Sequence, residues 1–230
     1  MITFGVVGTG WRTAFFLNVA NALPERFRCV GVVSRNPEQH TEWAAQFGGN
    51  LFSSLNGILA ESPDFVVTSV PWDANPGVIE SLVERGVPVL SETPPATTIE
   101  DMARLYKRVE NGAKIAVAEQ YHLHPHHAAR IALVDSGKLG TVTQAQVSVA
   151  HGYHGISLIR RLLGVGFENC TITAQKFTSP VLRWRDRDPI PQDEQVVSSE
   201  QVIAHLDFGD KLGVFDFVGD QYWAPYRGQR

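Results

Sequence analysis

Over the first 118 residues the chain alternates short, wholly apolar runs with segments of helical period. Residues 2–7 form a β-branched run. Residues 11–23 follow, with Phe15, Val19, Ala22 and Leu23 on one helical face. Residues 28–34 read as a second strand. Residues 37–47 predict a short helix, capped by Asn36 with Pro37 at its first position. Residues 51–52, 64–70, 87–90 and 114–118 complete the set of strands. The spacing predicts helices over 75–85 and 99–109 between them. The second of these places Ile99, Met102, Ala103, Tyr106 and Val109 on one face, with Thr97 and Glu100 as a capping box and Gly112 as the stop. Strands that are apolar along their whole length are buried on both faces, as in a parallel sheet between layers of helix. Six such units predict an α/β fold with a doubly wound parallel sheet over residues 1–120.

The pattern changes after residue 120. Residues 124–136 are helical and stop at Gly137. Residues 141–149 alternate, with Val142, Ala145, Val147 and Val149 on one side. Residues 155–163 read as a helix closed by Gly164, and three strand-like runs follow at 171–177, 196–208 and 212–218. Residues 183–194 are charged and carry prolines, so they read as a loop. The expectation for residues 121–230 is an α+β domain on an open antiparallel sheet.

Charge narrows the function classes. The formal net charge is −4 and no run of five like charges occurs, so there is no electrostatic footprint for nucleic acid. No apolar run approaches the roughly 20 residues that span a bilayer. The chain starts directly in a strand, without the basic and apolar regions of a secretory signal. Cys29 and Cys170 are far apart in apolar stretches, which fits reduced thiols rather than a disulfide framework or zinc site. The expected location is the cytoplasm.

Gly8-Thr9-Gly10-Trp11-Arg12-Thr13 joins the first strand to the first helix. Gly8 permits the tight turn, and Gly10 lets a pyrophosphate approach helix N–H groups. A lone G-x-G is a weak signal, but the strand before it, the helix after it and the second strand on schedule supply the confirming context. The second strand ends in Ser34-Arg35, where an NAD site carries an acidic residue for the ribose hydroxyls. A serine and a guanidinium suit the 2′-phosphate of NADP, with NAD as the alternative cofactor. This is the Rossmann dinucleotide-binding arrangement.

Four segments together resemble the glucose-fructose oxidoreductase / inositol dehydrogenase (Gfo/Idh/MocA) family. They are Phe4-Gly5-Val6-Val7-Gly8-Thr9-Gly10; Ser69-Val70-Pro71; Val87-Pro88-Val89-Leu90-Ser91-Glu92-Thr93-Pro94; and residues 134–140 with 152–164. The resemblance implies hydride transfer between NAD(P) and a hydroxyl or carbonyl carbon, usually of a sugar or polyol. It adds Ser69, Pro71, Glu92 and Thr93 to the cofactor side, beside Gly8, Gly10, Trp11, Arg12, Ser34 and Arg35. It also implies a second domain whose sheet packs on a partner subunit, hence a homodimer or larger assembly, and a chain about a hundred residues longer than 230.

The sequence departs from the family pattern in the catalytic half. Thr93 stands where the Glu-Lys-Pro signature has lysine. His154 matches the acid/base histidine, but Ala150 occupies the position of its aspartate, Ser157 that of a later one, and Asn75 that of a histidine after the fourth strand. Tyr121-His122-Leu123-His124-Pro125-His126-His127 carries four of the eight histidines, and His151 and His154 add two. One reading is a rebuilt site with His154 or His122 as acid/base and Tyr121 or Glu119 assisting. Convergence of imidazoles on a metal is a second, weaker reading, and no metal is assigned. A solvated or packed set is the bland one. Trp72, Trp184 and Trp223 line a sugar cleft in this view, or serve as interface or core residues. Two functions follow: an NAD(P)-dependent oxidoreductase of a hydroxy or keto compound, or a catalytically eroded NAD(P)-binding protein acting as sensor or partner subunit.

Overall fold

In a computed structural model, residues 1–184 and 191–221 are described. The chain divides into two compact units, Met1–Glu119 and Gln120–Arg230. The first is built on six parallel strands: β1 (Ile2–Val7), β2 (Phe27–Val33), β3 (Leu51–Phe52), β4 (Phe65–Thr68), β5 (Val89–Ser91) and β6 (Ile115–Val117). They lie in the order β3-β2-β1-β4-β5-β6, so the order reverses between β1 and β4. That reversal opens the crevice in which doubly wound sheets bind ligands. Val6, Val32, Val66 and Val67 are fully buried, as expected for strands covered on both faces.

The helices of this unit are α1 (Trp11–Ala22), α2 (Thr41–Ala45), α3 (Leu55–Ala60), α4 (Asn75–Val83) and α5 (Ile99–Glu110). Three expectations need correction. The expected helix over 37–47 is a 3-10 turn, Pro37–His40, followed by the single α-turn of α2. Helix α3 was not expected; Ser54 caps it by accepting from the Gly57 N–H at 3.3 Å. The cap of α5 is Thr98, one residue later than expected, accepting from Asp101 N–H at 3.1 Å.

The buried faces also differ from the periodicity. Helix α1 has apolar residues on every side and turns Thr13, Leu17 and Ala20 inward, leaving Phe15 and Val19 exposed. In α5 it is Leu105 that is buried, while Ile99, Met102, Tyr106 and Val109 are exposed. Ion pairs from Arg104 to Glu80 (2.8 Å) and from Arg108 to Glu84 (3.1 Å) hold α5 against α4. These partners lie on another helix, so the apolar period of α5 does not encode them.

The second unit contains α6 (Pro125–Asp135), β7 (Gln144–Val147), α7 (Gly152–Leu163), β8 (Thr171–Leu182), β9 (Val196–Asp207) and β10 (Leu212–Val218). Its sheet has the order β7-β10-β9-β8. Strands β8, β9 and β10 are antiparallel, but β7 runs parallel to β10, so the sheet is mixed rather than purely antiparallel. The crossover through α7 imposes that direction, because a helical return brings the chain back to the same end of the sheet. Leu158, Ile159 and Leu163 of α7 close one core with Ala145, Val147, Leu206 and Phe215. Contact there is close: a Cβ on Gly155 would overlap the Phe215 ring. Among the described residues no helix is long and apolar enough to cross a membrane.

Candidate functional site

The glycine turn is shaped by two backbone contacts. Gly8 has φ +110, a conformation that side-chain-bearing residues rarely adopt, and a Cβ there would overlap the Ser69 carbonyl. The turn thus sits at the switch between β1 and β4, where Ser69 N–H also donates to Val7 O at 2.8 Å. Thr13, at the third position of the fingerprint, is fully buried, and its Oγ1 donates to Gly8 O at 2.9 Å. A hydroxyl here pins the turn instead of a third glycine.

Gly10 differs from Gly8 in one respect that matters for a ligand. A Cβ on Gly10 would meet only Ser69 O, at 3.9 Å, so the position faces open space. Gly10 is the N-cap of α1 and carries no side chain to cap it; the first turn holds no acidic residue. No side chain caps this helix start, Thr13 N–H turns back onto Gly10 O at 3.0 Å, and the positive end of the helix dipole favours an anion. The open glycine and the uncapped helix therefore fit a dinucleotide diphosphate.

At the end of β2, Ser34 is buried, and its Oγ accepts from Asn36 N–H at 3.2 Å. Arg35 is exposed. His40 reaches back from the 3-10 turn, with Nε2 3.2 Å from Thr9 Oγ1 of the glycine turn. No sequence pattern signalled that bridge, since it joins residues 31 apart.

On the other side of the switch, Glu92 and Thr93 follow β5, and the Thr93–Pro94 peptide is cis. Arg12 of α1 pairs with Glu92, with Nε and Nη2 each 2.9 Å from Oε1. The other oxygen, Oε2, accepts from Thr93 N–H at 3.1 Å. Asn75 is 2% exposed; its Nδ2 donates to Ser91 Oγ at 2.9 Å and to the carbonyls of Pro94 and Pro95 at 3.4 Å each. Its Oδ1 has no hydrogen-bond partner among the described residues. Pro71 is exposed and opens α4 by accepting from the Ala74 and Asn75 N–H groups. Trp11 is exposed and meets Phe15 edge-on at 4.6 Å. Within this unit, then, every residue expected on the cofactor side lies in the glycine turn, at the end of β2, or around β4 and β5.

The second unit gathers the aromatic and imidazole residues. His154, in the first turn of α7, is 7% exposed, and Tyr121, in the 3-10 turn Tyr121–Leu123, is 4% exposed. Their ring centroids are 4.4 Å apart. Tyr153 flanks His154 at 4.3 Å, and His124 flanks Tyr121 at 4.9 Å. His126 and His127 lie further along, their rings tilted at 45° with centroids 4.0 Å apart. His122 is half-buried in the same turn as Tyr121. Ala150 is buried with φ +38, just before this segment. That conformation costs a non-glycine residue on the order of 1 kcal/mol. No group of three metal-binding side chains is arranged to hold an ion among the described residues. Glu119 closes the first unit, Trp72 is exposed and Trp184 is half-buried. Trp223 and much of the 183–194 loop fall outside the described residues.

Sheet order and glycine turn together define a domain of the Rossmann class. Residues 2–121 match the oxidoreductase family Gfo/Idh/MocA, NAD-binding Rossmann fold, and the chain belongs to that family. It is 30% identical over 145 residues to the myo-inositol dehydrogenase Hyg17 of Streptomyces leeuwenhoekii, covering 61% of this chain and 43% of that protein. The chain spans less than half the length of the curated relatives it matches. Solved structures with the same fold include GenD2 from gentamicin A biosynthesis in complex with NAD, at TM-score 0.74 and 21% identity, covering 99% of this chain and 67% of that one. WlbA of Bordetella pertussis, in complex with NADH and UDP-GlcNAcA, aligns at TM-score 0.69 and 20% identity, covering 94% and 70%.

Proposed function

We propose that this chain binds NADP, with NAD as the weaker alternative, and transfers hydride to or from a hydroxyl-bearing or keto carbon of a sugar- or polyol-like compound. The observation that carries the reading is the glycine turn: an open Gly10 at an uncapped helix start, on the switch point of a 3-2-1-4-5-6 sheet. NADP over NAD is supported by Ser34 and Arg35 at the end of β2, where no carboxylate stands to receive the ribose hydroxyls. The name of Hyg17 supports a polyol substrate.

The cofactor supplies the hydride chemistry, and the chain supplies binding and proton handling. Gly10 and the first N–H groups of α1 hold the diphosphate. His154 is the acid/base: its imidazole takes the hydroxyl proton as the carbon is oxidised, or returns it in reduction. Tyr121, tilted 39° against His154 with ring centroids 4.4 Å apart, packs against the imidazole. His122 is the reserve candidate from the same turn.

A second reading, cofactor binding without turnover as sensor or partner subunit, is favoured by Thr93 and Ala150, which carry no charge where the family signature has lysine and aspartate. A screen of polyols and sugars, following reduced-cofactor absorbance, separates the two. Turnover that vanishes in His154→Ala supports the enzyme. Tight cofactor binding with no turnover on any substrate supports the second reading.

For assembly we assign a second copy of the chain to the open face of the four-stranded sheet. Phe215 faces α7, so Ile203 and Phe177, on alternate registers, point to the opposite face, and β8 offers a twelve-residue edge. A monomer in light scattering contradicts that assignment.

A further inference from the structure

We infer that Arg12 is a positioning residue for the nicotinamide half of the dinucleotide site, acting through its ion pair with Glu92. The inference rests on the dinucleotide reading above and adds a specific part to it.

Arg12 stands in the first turn of α1, and Glu92 lies 80 positions later, just past β5. Nε and Nη2 both address Oε1, while Oε2 takes the Thr93 N–H. One carboxylate therefore ties the start of the glycine-turn helix to the backbone of the Glu-Thr-Pro loop. The guanidinium carbon sits 4.7 Å from the Phe15 ring centroid and 5.8 Å from that of Trp11, so aromatic faces fix its plane. The two side chains are 27% and 13% exposed, which screens the pair less than a surface bridge. Nη1 has no hydrogen-bond partner among the described residues and remains a donor on the same cation.

The place of this pair in the sheet gives it a function. The end of β2 takes the adenosine ribose, and the ligand crosses the switch between β1 and β4. The ring end then falls on the side of β4 and β5, where Glu92 and Thr93 stand. Thr93 brings no charge to that loop, so the cation that orients Glu92 comes from the glycine turn instead. A lysine at position 93 would bring a second cation to the same loop, whose Thr93 backbone N–H already meets Oε2 at 3.1 Å.

The test compares two ligands on the full chain. NADPH carries the nicotinamide ring, and 2′-phospho-ADP-ribose lacks it. Arg12→Leu weakens NADPH by about tenfold, the loss of one charge-assisted contact, and changes 2′-phospho-ADP-ribose by less than about twofold. Thr93→Lys added to Arg12→Leu recovers most of the NADPH affinity. Thr93→Lys alone weakens it, because two cations then share one carboxylate. If Arg12→Leu does not fold, Glu92→Gln, which removes the charge and keeps the shape, carries the same prediction for the two ligands. Equal losses for both ligands, no loss for either, or a double variant no better than Arg12→Leu overturns the inference. Wild-type protein that binds neither ligand overturns the dinucleotide reading and this inference with it.

Discussion

Asn75 and Ser91 are joined by a buried hydrogen bond of 2.9 Å, from the first residue of α4 to the last of β5. The same amide nitrogen also approaches the Pro94 and Pro95 carbonyls. One side chain therefore holds both ends of the Ser91–Pro95 segment, which carries Glu92 and Thr93. Removing it leaves buried acceptors without a donor, a cost of about 1–3 kcal/mol. Asn75→Ala is expected to lower stability by that amount in urea and to weaken NADPH binding. Asn75→Asp, which keeps the shape but loses the donor and buries a charge, is expected to be worse on both counts.

Gly8 and Gly10 separate folding from binding. Gly8→Ala forces a Cβ onto the Ser69 carbonyl in a left-handed backbone, so a lower thermal midpoint is expected together with lost binding. At Gly10 a Cβ has room in the protein but takes the space proposed for the diphosphate. Gly10→Ala is expected to fold with an unchanged midpoint and to bind NADPH at least about tenfold more weakly. A Gly10→Ala protein with wild-type affinity would remove the cradle from the account.

Much of the first unit was legible in the sequence because burial on both faces leaves a one-dimensional trace. The runs at residues 2–7 and 51–52 coincide with β1 and β3, and the glycine turn falls between β1 and α1 as spacing requires. What was hidden depends on partners far away in the chain. The pairing of Arg12 with Glu92 and of Thr9 with His40 has no local signal. The partners of Arg104 and Arg108 on α5 are Glu80 and Glu84, some two dozen positions earlier. The direction of β7 is fixed by its pairing with β10, and alternation along β7 is the same in either direction. In the candidate site, His154 and Tyr121 were each legible as chemistry, but their ring contact at 4.4 Å required the fold.

His154→Gln keeps a polar side chain and removes the acid/base. With a substrate in hand, turnover is expected to fall by about a hundredfold or more, while NADPH affinity stays within about twofold. Tyr121→Phe keeps the ring contact and is expected to fall less. Parallel losses of binding and turnover in His154→Gln would mark a packing role instead.

Asp64 gives a pH signature independent of the site. Its Oδ2 accepts from Thr3 N–H at 2.7 Å and from Thr3 Oγ1–H at 2.9 Å, and these bonds hold its carboxyl below the ordinary range. The stabilisation is therefore present above the unfolded value, about 3.9, and is lost as pH falls through the lower folded value. Asp64→Asn is expected to be less stable at neutral pH and to show a flatter loss of stability below pH 4. An unchanged acid profile in the variant would contradict this.

The central claim is that the open glycine and uncapped start of α1 hold a dinucleotide, with Ser34 and Arg35 choosing NADP. Its most direct test is a fluorescence titration of the purified chain with NADPH and NADH in parallel. The account predicts saturable binding of both, tighter for NADPH, with the difference removed in Arg35→Ala. Binding of neither nucleotide at millimolar concentration would contradict it, and a preference for NADH would overturn the assignment of NADP.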